Sequence, residues 1–315
     1  MIITLTPSPS LDLEYQIGSL KIGGVNRSEY FGQRAGGKGV NVSRVLVKMG
    51  VATTALVPLN ESESRPFLES ALIDKIPIRP IEIESGMRFN VTLLHDQGTT
   101  KVNTATKAWS KKESKRIADA FTAQARKSEF AVIGGSLPES TPLEWLIDLV
   151  RENRKHARIV VDSSGLALKE VLPAKPYLIK PNREEAEELL NSPIGDLSDA
   201  KLAAQELRQL GPETILLSLG SAGSIYSSSD SLIHIKPVEL TVQNTVGAGD
   251  ALLAGFIGSF NKGMEFALSC GTAWAEALIS NHGHHLDVVV QESTVRRIIA
   301  SGRVQDLFDT ECSRV

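Results

Sequence analysis

The chain has 315 residues, 42% hydrophobic and 23% charged, a balance that accommodates one large globular domain or two with a sizeable core. A formal net charge of −3 gives no general attraction to nucleic acid or an anionic membrane surface, so small-molecule chemistry is favoured. No apolar run nears the roughly 18 residues of a membrane helix. The two cysteines, Cys270 and Cys312, lack metal-ligand spacing, and the start MIITLTPSPSLD lacks a basic region followed by an apolar segment. The expectation is a reduced, cytoplasmic protein with neither nucleic-acid nor membrane partners.

Residues 2–5 form a β-rich run stopped by Pro7 and Pro9, and Asp12 is expected at a strand end, where open α/β sheets gather ligands. Residues 13–34 alternate weakly around four glycines, which predicts short exposed strands and turns. In AGGKGVNVSRVLVKMG, residues 35–50, glycines give way to Val42, Val45, Leu46 and Met49 at helical spacing, with Gly50 as a stop. Lys38 and Asn41 lie one turn apart there. They read as an amine and an amide reaching an anionic or hydroxylated ligand, or as a plain helix start with a solvated lysine.

A strand over 53–57, a helix over 63–73 and a strand over 77–84 begin a βαβ rhythm. Residues 87–94 and 99–102, turning at Asp96, Gln97 and Gly98, read as a hairpin that interrupts it, with Arg88 and Asn90 on one strand face. From Ser110 the alternation resumes: helix to 125, strand 130–133, helix 142–153, strand 158–161, a helix near Leu166 and strand 177–179. These strands end in Gly134-Gly135-Ser136, Asp162-Ser163-Ser164 and Lys180-Pro181-Asn182, as expected if one rim of a parallel sheet carries a site. Asn182 reads as the cap of a helix whose first turn holds Glu184 and Glu185, either dipole-complementing surface acids or a metal-water pair. A helix over 197–210, a strand over 213–219, a turn at 220–223 and a strand over 224–227 follow. Helices over 264–280 and 294–300 close the series. His282, His284 and His285 have no carboxylate or cysteine at ligand spacing and read as a polar loop.

The stretch with the most chemistry is NTVGAGDALLAGF, residues 244–256. Gly247, Ala248 and Gly249 carry almost no side chain, so their backbone N–H groups can turn toward an anion at the start of the following helix. Asp250, in that first turn, suits a general base beside a transferring phosphate, although a glycine-rich helix entry capped by an aspartate is equally compatible with the spacing. A dinucleotide fingerprint would need glycine where Leu252 stands, and a Walker A loop would need Ser or Thr where Gly39 stands.

The segments TPSPSLD, AGGKGVNVSRVL, MRFN, GGSLP, VVDSSG, KPNREEAEEL, SLGSAG and TVGAGD occur in this order between residues 2 and 288. Together they resemble the PfkB (ribokinase-like) carbohydrate kinases. Within these they are similar to the hexose-phosphate branch of 1-phosphofructokinases, tagatose-6-phosphate kinases and minor 6-phosphofructokinases. The resemblance implies a single kinase domain with a three-layer α/β/α fold, a mostly parallel sheet and a small β lid inserted at about 13–34 and 86–104. It also implies a homodimer through that lid, and ATP and Mg2+ as cofactors. Asp250 would be the catalytic base and Gly247, Ala248 and Gly249 the anion hole. Asp12, Gly37 and Asn41 would hold sugar hydroxyls, Lys38 and Arg88 would approach a phosphate already on the sugar, and Asn90 and Ser136 would complete the acceptor site. Lys180, Asn182 and Glu185 match the ATP and magnesium-water motif, Ser218, Gly220 and Gly223 the nucleotide hairpin, and Asn281 the contact with the base region.

Two stretches depart from the family pattern. Residues 103–107, Asn-Thr-Ala-Thr-Lys, replace an acidic segment, and Gly283 is followed by histidines rather than a small, threonine-containing sequence. The activity expected is ATP-dependent phosphorylation of a ketohexose phosphate, fructose 1-phosphate to fructose 1,6-bisphosphate. Tagatose-6-phosphate or 6-phosphofructokinase activity, a kinase of an unphosphorylated sugar or nucleoside, and a sugar-binding regulatory protein are the alternatives.

Overall fold

Short runs rich in Val, Ile and Leu alternate with amphipathic segments, and the computed structural model stacks them as a sheet between two helix layers. It describes residues 1–236, 238, 240, 246–280 and 288–307. In chain order the first half contains β1 (Ile2–Leu5), β2 (Ser10–Gln16), β3 (Tyr30–Gly36), α1 (Lys38–Lys48), β4 (Thr53–Leu59), α2 (Ser64–Ile73), β5 (Ile78–Glu82), β6 (Arg88–His95), β7 (Gly98–Asn103), α3 (Lys111–Ala125), β8 (Phe130–Gly134) and α4 (Leu143–Asn153). The second half contains β9 (Arg158–Asp162), α5 (Gly165–Val171), β10 (Leu178–Ile179), α6 (Arg183–Leu190), α7 (Leu197–Gln209), β11 (Thr214–Ser218), β12 (Ser224–Ser227), β13 (Leu232–Ile235), α8 (Ala248–Gly258), α9 (Met264–Ile279), α10 (Glu292–Ala300) and β14 (Val304–Asp306).

Among the described residues the main sheet has ten strands in the order β14-β13-β12-β11-β10-β9-β8-β1-β4-β5. The run from β11 to β5 is parallel and the three strands at the other edge are antiparallel. Strand periodicity divides the core. Ile3, Leu5, Ala131, Ile133, Ile159 and Val161 face the layer of α3, α4, α5, α6 and α7, whereas Ile2, Phe130, Val132 and Val160 face α1, α8, α9 and α10. No helix among the described residues is long and apolar enough to cross a membrane.

A second sheet, β3-β2-β6-β7, stands apart from the first. Its Leu11 and Ala35 pack with Phe67 and Ala71 of α2 and Val57 and Leu59 of β4, which fixes one end of it to the main body. Asp12 is therefore not at the end of a main-sheet strand, as its position after β1 predicts, but inside β2. The hydrogen-bonding partners of β2 are other small-sheet strands, which local periodicity does not reveal. The strands of this sheet also start earlier and end later than the weak alternation over 13–34 indicates. β13 and β14 were not legible either, because a four-residue Leu-Ile-His-Ile run and a three-residue Val-Gln-Asp run carry too little pattern to stand out.

Candidate active site

The carboxyl ends of β1, β8, β9, β10 and β11 open toward the N-termini of α1 and α8. Helix α1 approaches closely because a Cβ on Gly39 would lie 2.8 Å from the Leu5 carbonyl oxygen and 2.6 Å from Thr6 Oγ1. Helix α8 starts at Gly247, whose φ of 81° is left-handed, and no side chain caps it. Its first intrahelical acceptor, the Gly247 carbonyl, takes the Ala251 N–H at 2.9 Å. The N–H groups of Ala248, Gly249 and Asp250 therefore have no carbonyl within the helix, and an anion at this end meets both the donors and the positive end of the dipole.

Two lysines converge beside this cradle. Lys38 Nζ lies 2.7 Å from Asp162 Oδ1 and Lys180 Nζ lies 3.3 Å from Asp162 Oδ2, so one buried carboxylate at the end of β9 holds both cations. A Cβ on Gly249 would come within 2.9 Å of Lys180 Nζ, which places that ammonium against the cradle itself. Burial raises the Asp162 pKa, but the charges of Lys180 and Lys38 outweigh it and hold the group below the ordinary aspartate value. The Lys38 pKa is raised, because Asp162 more than offsets its desolvation, with smaller contributions from Glu185 and Asp250. Lys38, expected near a phosphate already on the sugar, is thus held by Asp162 beside the start of α8. The signal for Asp162 was an aspartate closing an apolar strand, RIVVD, since such a group is buried only with cationic partners.

Asp250 is buried, and Asn41 Nδ2 donates to its Oδ2 at 2.8 Å. Burial, reinforced by the charge of Asp162, pushes its pKa up to about 6 against the opposing effects of Asn41, Lys180 and Lys38. A carboxylate tuned to that value is ionised at neutral pH and retains proton affinity, as a general base requires. Asn41, expected on sugar hydroxyls, spans Asp250 and Arg44, whose guanidinium donates to its Oδ1.

The small sheet brings its polar face to the same cleft. Register places Asp12 opposite Arg34 on β3 and Asn90 on β6, and Asn103 opposite Asn90. Ser10 Oγ and Asn90 Nδ2 both donate to Asp12 Oδ1, at 2.8 and 2.7 Å, which leaves Oδ2 outside that pair of bonds. Arg88 sits beside Ser10 on the same face, and its Nε and Asn90 Oδ1 are buried with no hydrogen-bond partner among the described residues. Buried polar groups of this kind are nearly always satisfied, by water, an ion or a ligand where no protein group does so. Gly37 forms the N-cap of α1 at φ 114°, and Ser136 is exposed just beyond β8. In the departing segment, Thr106 is buried against Ser8, while Lys107 is exposed.

The remaining predicted residues lie along β10, β11 and their loops. Asn182 and Glu185 form a reciprocal capping box on α6: Asn182 Oδ1 accepts from Glu185 N at 2.7 Å and Glu185 Oε2 accepts from Asn182 N at 2.9 Å. Ser218 N and Oγ both donate to the Pro181 carbonyl, which ties the hairpin to the Lys180 loop. Gly220 and Gly223 bracket a single 3₁₀ turn, with Leu219 N bonded to Gly223 O at 2.8 Å. Asn281 and the three histidines after it lie outside the described residues. Among those described, no three His, Cys, Asp or Glu gather as a metal cage.

Residues 12–288 match the model of the pfkB family carbohydrate kinases. The chain belongs to that family. Membership implies ATP as the phosphoryl donor. The kinase is 31% identical over 271 residues to a 1-phosphofructokinase from Vibrio cholerae, covering 84% of each chain. Its fold is similar to that of phosphofructokinase-2 from Escherichia coli in complex with fructose-6-phosphate, with a TM-score of 0.83 and 25% identity over 95% of this chain and 98% of that one. It is also similar to a phosphofructokinase, described as putative, from Staphylococcus aureus, with a TM-score of 0.79 and 27% identity over 97% and 98% of the two chains. Asp162, Ser10 and Arg44, which contact Lys38 with Lys180, Asp12 and Asn41 respectively, were not singled out from the sequence.

Proposed function

We propose that this kinase transfers the γ-phosphoryl group of ATP to a ketohexose phosphate, converting fructose 1-phosphate to fructose 1,6-bisphosphate. The observation that carries this reading is the unpartnered buried Nε of Arg88 beside the Asp12–Asn90 pair. A guanidinium grips phosphate through parallel hydrogen bonds, whereas a free sugar would leave it unpaired. The named activity of the Vibrio cholerae relative supports the 1-phosphate, and the ligand of the Escherichia coli structure keeps fructose 6-phosphate as the second reading.

In this account Asp12 and Asn90 hold sugar hydroxyls and orient the accepting one toward Asp250. As its oxygen attacks the γ-phosphorus, the proton passes to the Asp250 carboxylate, the bond to the bridging oxygen breaks and ADP leaves. The N–H groups at the start of α8, with Lys38 and Lys180, meet the charge that develops on the transferring group. The loops of Ser218, Gly220 and Gly223 and the Lys180–Asn182 segment flank the nucleotide.

The donor set fits magnesium bound mainly by phosphates and water, because Glu185 already uses Oε2 in its cap and its other oxygen can accept from a metal-bound water. When bound, Mg2+ would neutralise the phosphate oxygens of the donor. We place the reaction in the cytoplasm, where ATP is supplied. We place a homodimer contact on the apolar face of the small sheet, where the rings of Tyr15 and Phe31 lie 5.1 Å apart and Phe31 and Val102 are exposed. Sedimentation of the intact protein reads that contact, and a monomer at all concentrations contradicts it.

The test of the activity is kcat/KM for fructose 1-phosphate, fructose 6-phosphate, tagatose 6-phosphate and free fructose. It is measured in the parent and in Arg88→Ala. The phosphorylated sugars are expected to be strongly preferred, and the substitution to weaken that preference by about 2–5 kcal/mol. Equal use of free and phosphorylated sugar would overturn the reading.

A further inference from the structure

Arg44 lies on α1 with its side chain completely buried, an expensive place for a cation. Its three nitrogens are spent separately: Nε donates to Asp74 Oδ2 at 2.7 Å, one terminal nitrogen to Asn41 Oδ1 and the other to the Ala35 carbonyl. Burial and the nearby Arg34 lower its pKa to about 10, so it remains charged at neutral pH. The far side of the Asn41 amide donates to Asp250 Oδ2. A neutral amide has two ends of nearly equal size and can sit either way round. Between a guanidinium, which only donates, and a carboxylate, which only accepts, a single orientation satisfies both partners. Reversal would set the amide oxygen against the Asp250 carboxylate.

We propose that Arg44 is a positioning residue for the transfer step: it locks the Asn41 amide so that Nδ2 faces Asp250 and keeps that carboxylate ionised and aimed. This rests on the reading of Asp250 as the base. Arg44 acts only through Asn41. The chain is anchored at Asp74, whose Oδ2 also lies 3.7 Å from Arg34 Nε on β3, the residue paired in register with Asp12. The base is thereby linked to the strand face that holds the acceptor. The other charges acting on Asp250 are Asp162 from the end of β9, Lys180 from the loop after β10 and Lys38 from α1. None of these fixes the amide. Without the Asn41 donor Asp250 holds its proton to higher pH, and the base is silenced where it should work.

The experiment is the pH dependence of kcat in the parent, Arg44→Met, Arg44→Lys, Asn41→Ala and the double variant Arg44→Met with Asn41→Ala. Arg44→Lys keeps a charge beside Asp74 and protects the fold, but an ammonium cannot span Asp74, Asn41 and the Ala35 carbonyl together. The acid limb of both Arg44 variants is expected to move up by about one pH unit, a roughly tenfold loss of kcat below the parent limb that recovers at alkaline pH. The double variant should shift no further than Asn41→Ala alone. A merely structural role would lower Tm and leave the limb in place. An unmoved limb in either folded Arg44 variant, or additive shifts in the double variant, overturns the proposal. If Asp250→Asn keeps parental turnover, the base reading falls as well. If Asp250→Asn is inactive and the limb is unmoved, the positioning role alone falls.

Discussion

Helices α6 and α8 both begin at the rim where the strands end, yet they treat their first turns in opposite ways. Helix α6 consumes its own donors, since Asn182 and Glu185 bond each other's backbone reciprocally. Helix α8 starts at a left-handed glycine with no capping side chain and a buried aspartate in its first turn. A self-satisfied terminus is a structural joint, whereas an open one flanked by Lys180 can receive an anion. The energetics diverge accordingly: the cap stabilises α6, whereas ionised Asp250 is held where burial penalises its charge.

Removing the charge at α8 should have the largest effect. Asp250→Asn is expected to lower kcat about 10²- to 10⁴-fold, roughly 3–5 kcal/mol of barrier, with little change in ATP affinity. The same substitution should raise Tm. The folded pKa of Asp250, about 6, lies above the ordinary aspartate value of 3.8, so its favourable contribution is full below the lower value and lost as pH rises through the upper one. At neutral pH the amide relieves a penalty of about 3 kcal/mol at most. Unchanged or lower stability would mean that the carboxylate is better solvated than its burial implies. In the parent, kcat should fall as pH drops below about 6, where Asp250 takes up its proton; a flat acid limb would contradict the assignment.

Gly249→Ala comes next. Its Cβ would press on Lys180 Nζ at 2.9 Å, and since that is the end of a flexible side chain, the fold should survive while the ammonium shifts from the cradle. A loss of kcat of about tenfold with little change in Tm is expected, less than the roughly 10²- to 10³-fold lost when such a contact is removed outright. Full activity would show that Lys180 is not needed where it stands.

The smallest effects belong to α6. Asn182→Ala should cost about 1 kcal/mol of stability through the lost cap, seen as a modest fall in Tm. Glu185→Gln keeps an acceptor for the cap and removes the charge. Tm should hold, and the magnesium concentration for half-maximal activity should rise several-fold. If Glu185→Gln lowers Tm as much as Asn182→Ala and leaves the magnesium requirement unchanged, Glu185 is structural only.

Much of this contrast was legible in the residues. Glycines feeding apolar helical spacing announced α1 and α8, apolar runs announced the parallel strands, and Asn182 three residues before Glu185 announced the cap. What stayed hidden depends on partners distant in sequence. Asp162 draws in Lys38 from the start of α1 and Lys180 from the loop after β10, and Arg44 reaches Asp74 at the end of α2. Local periodicity describes the face a residue occupies, but not which buried charge it will meet across the fold. Asp12 was misplaced for the same reason, since cross-strand pairing with Arg34 and Asn90 decides its position.

The most direct test of the account is phosphorus NMR of the intact kinase with ATP, magnesium and fructose 1-phosphate, alongside Asp250→Asn under identical conditions. A new phosphomonoester signal on the sugar is expected to grow in step with ADP in the parent, with neither signal on that timescale in the variant. ADP formed without a sugar bisphosphate, or undiminished product from Asp250→Asn, would contradict the account.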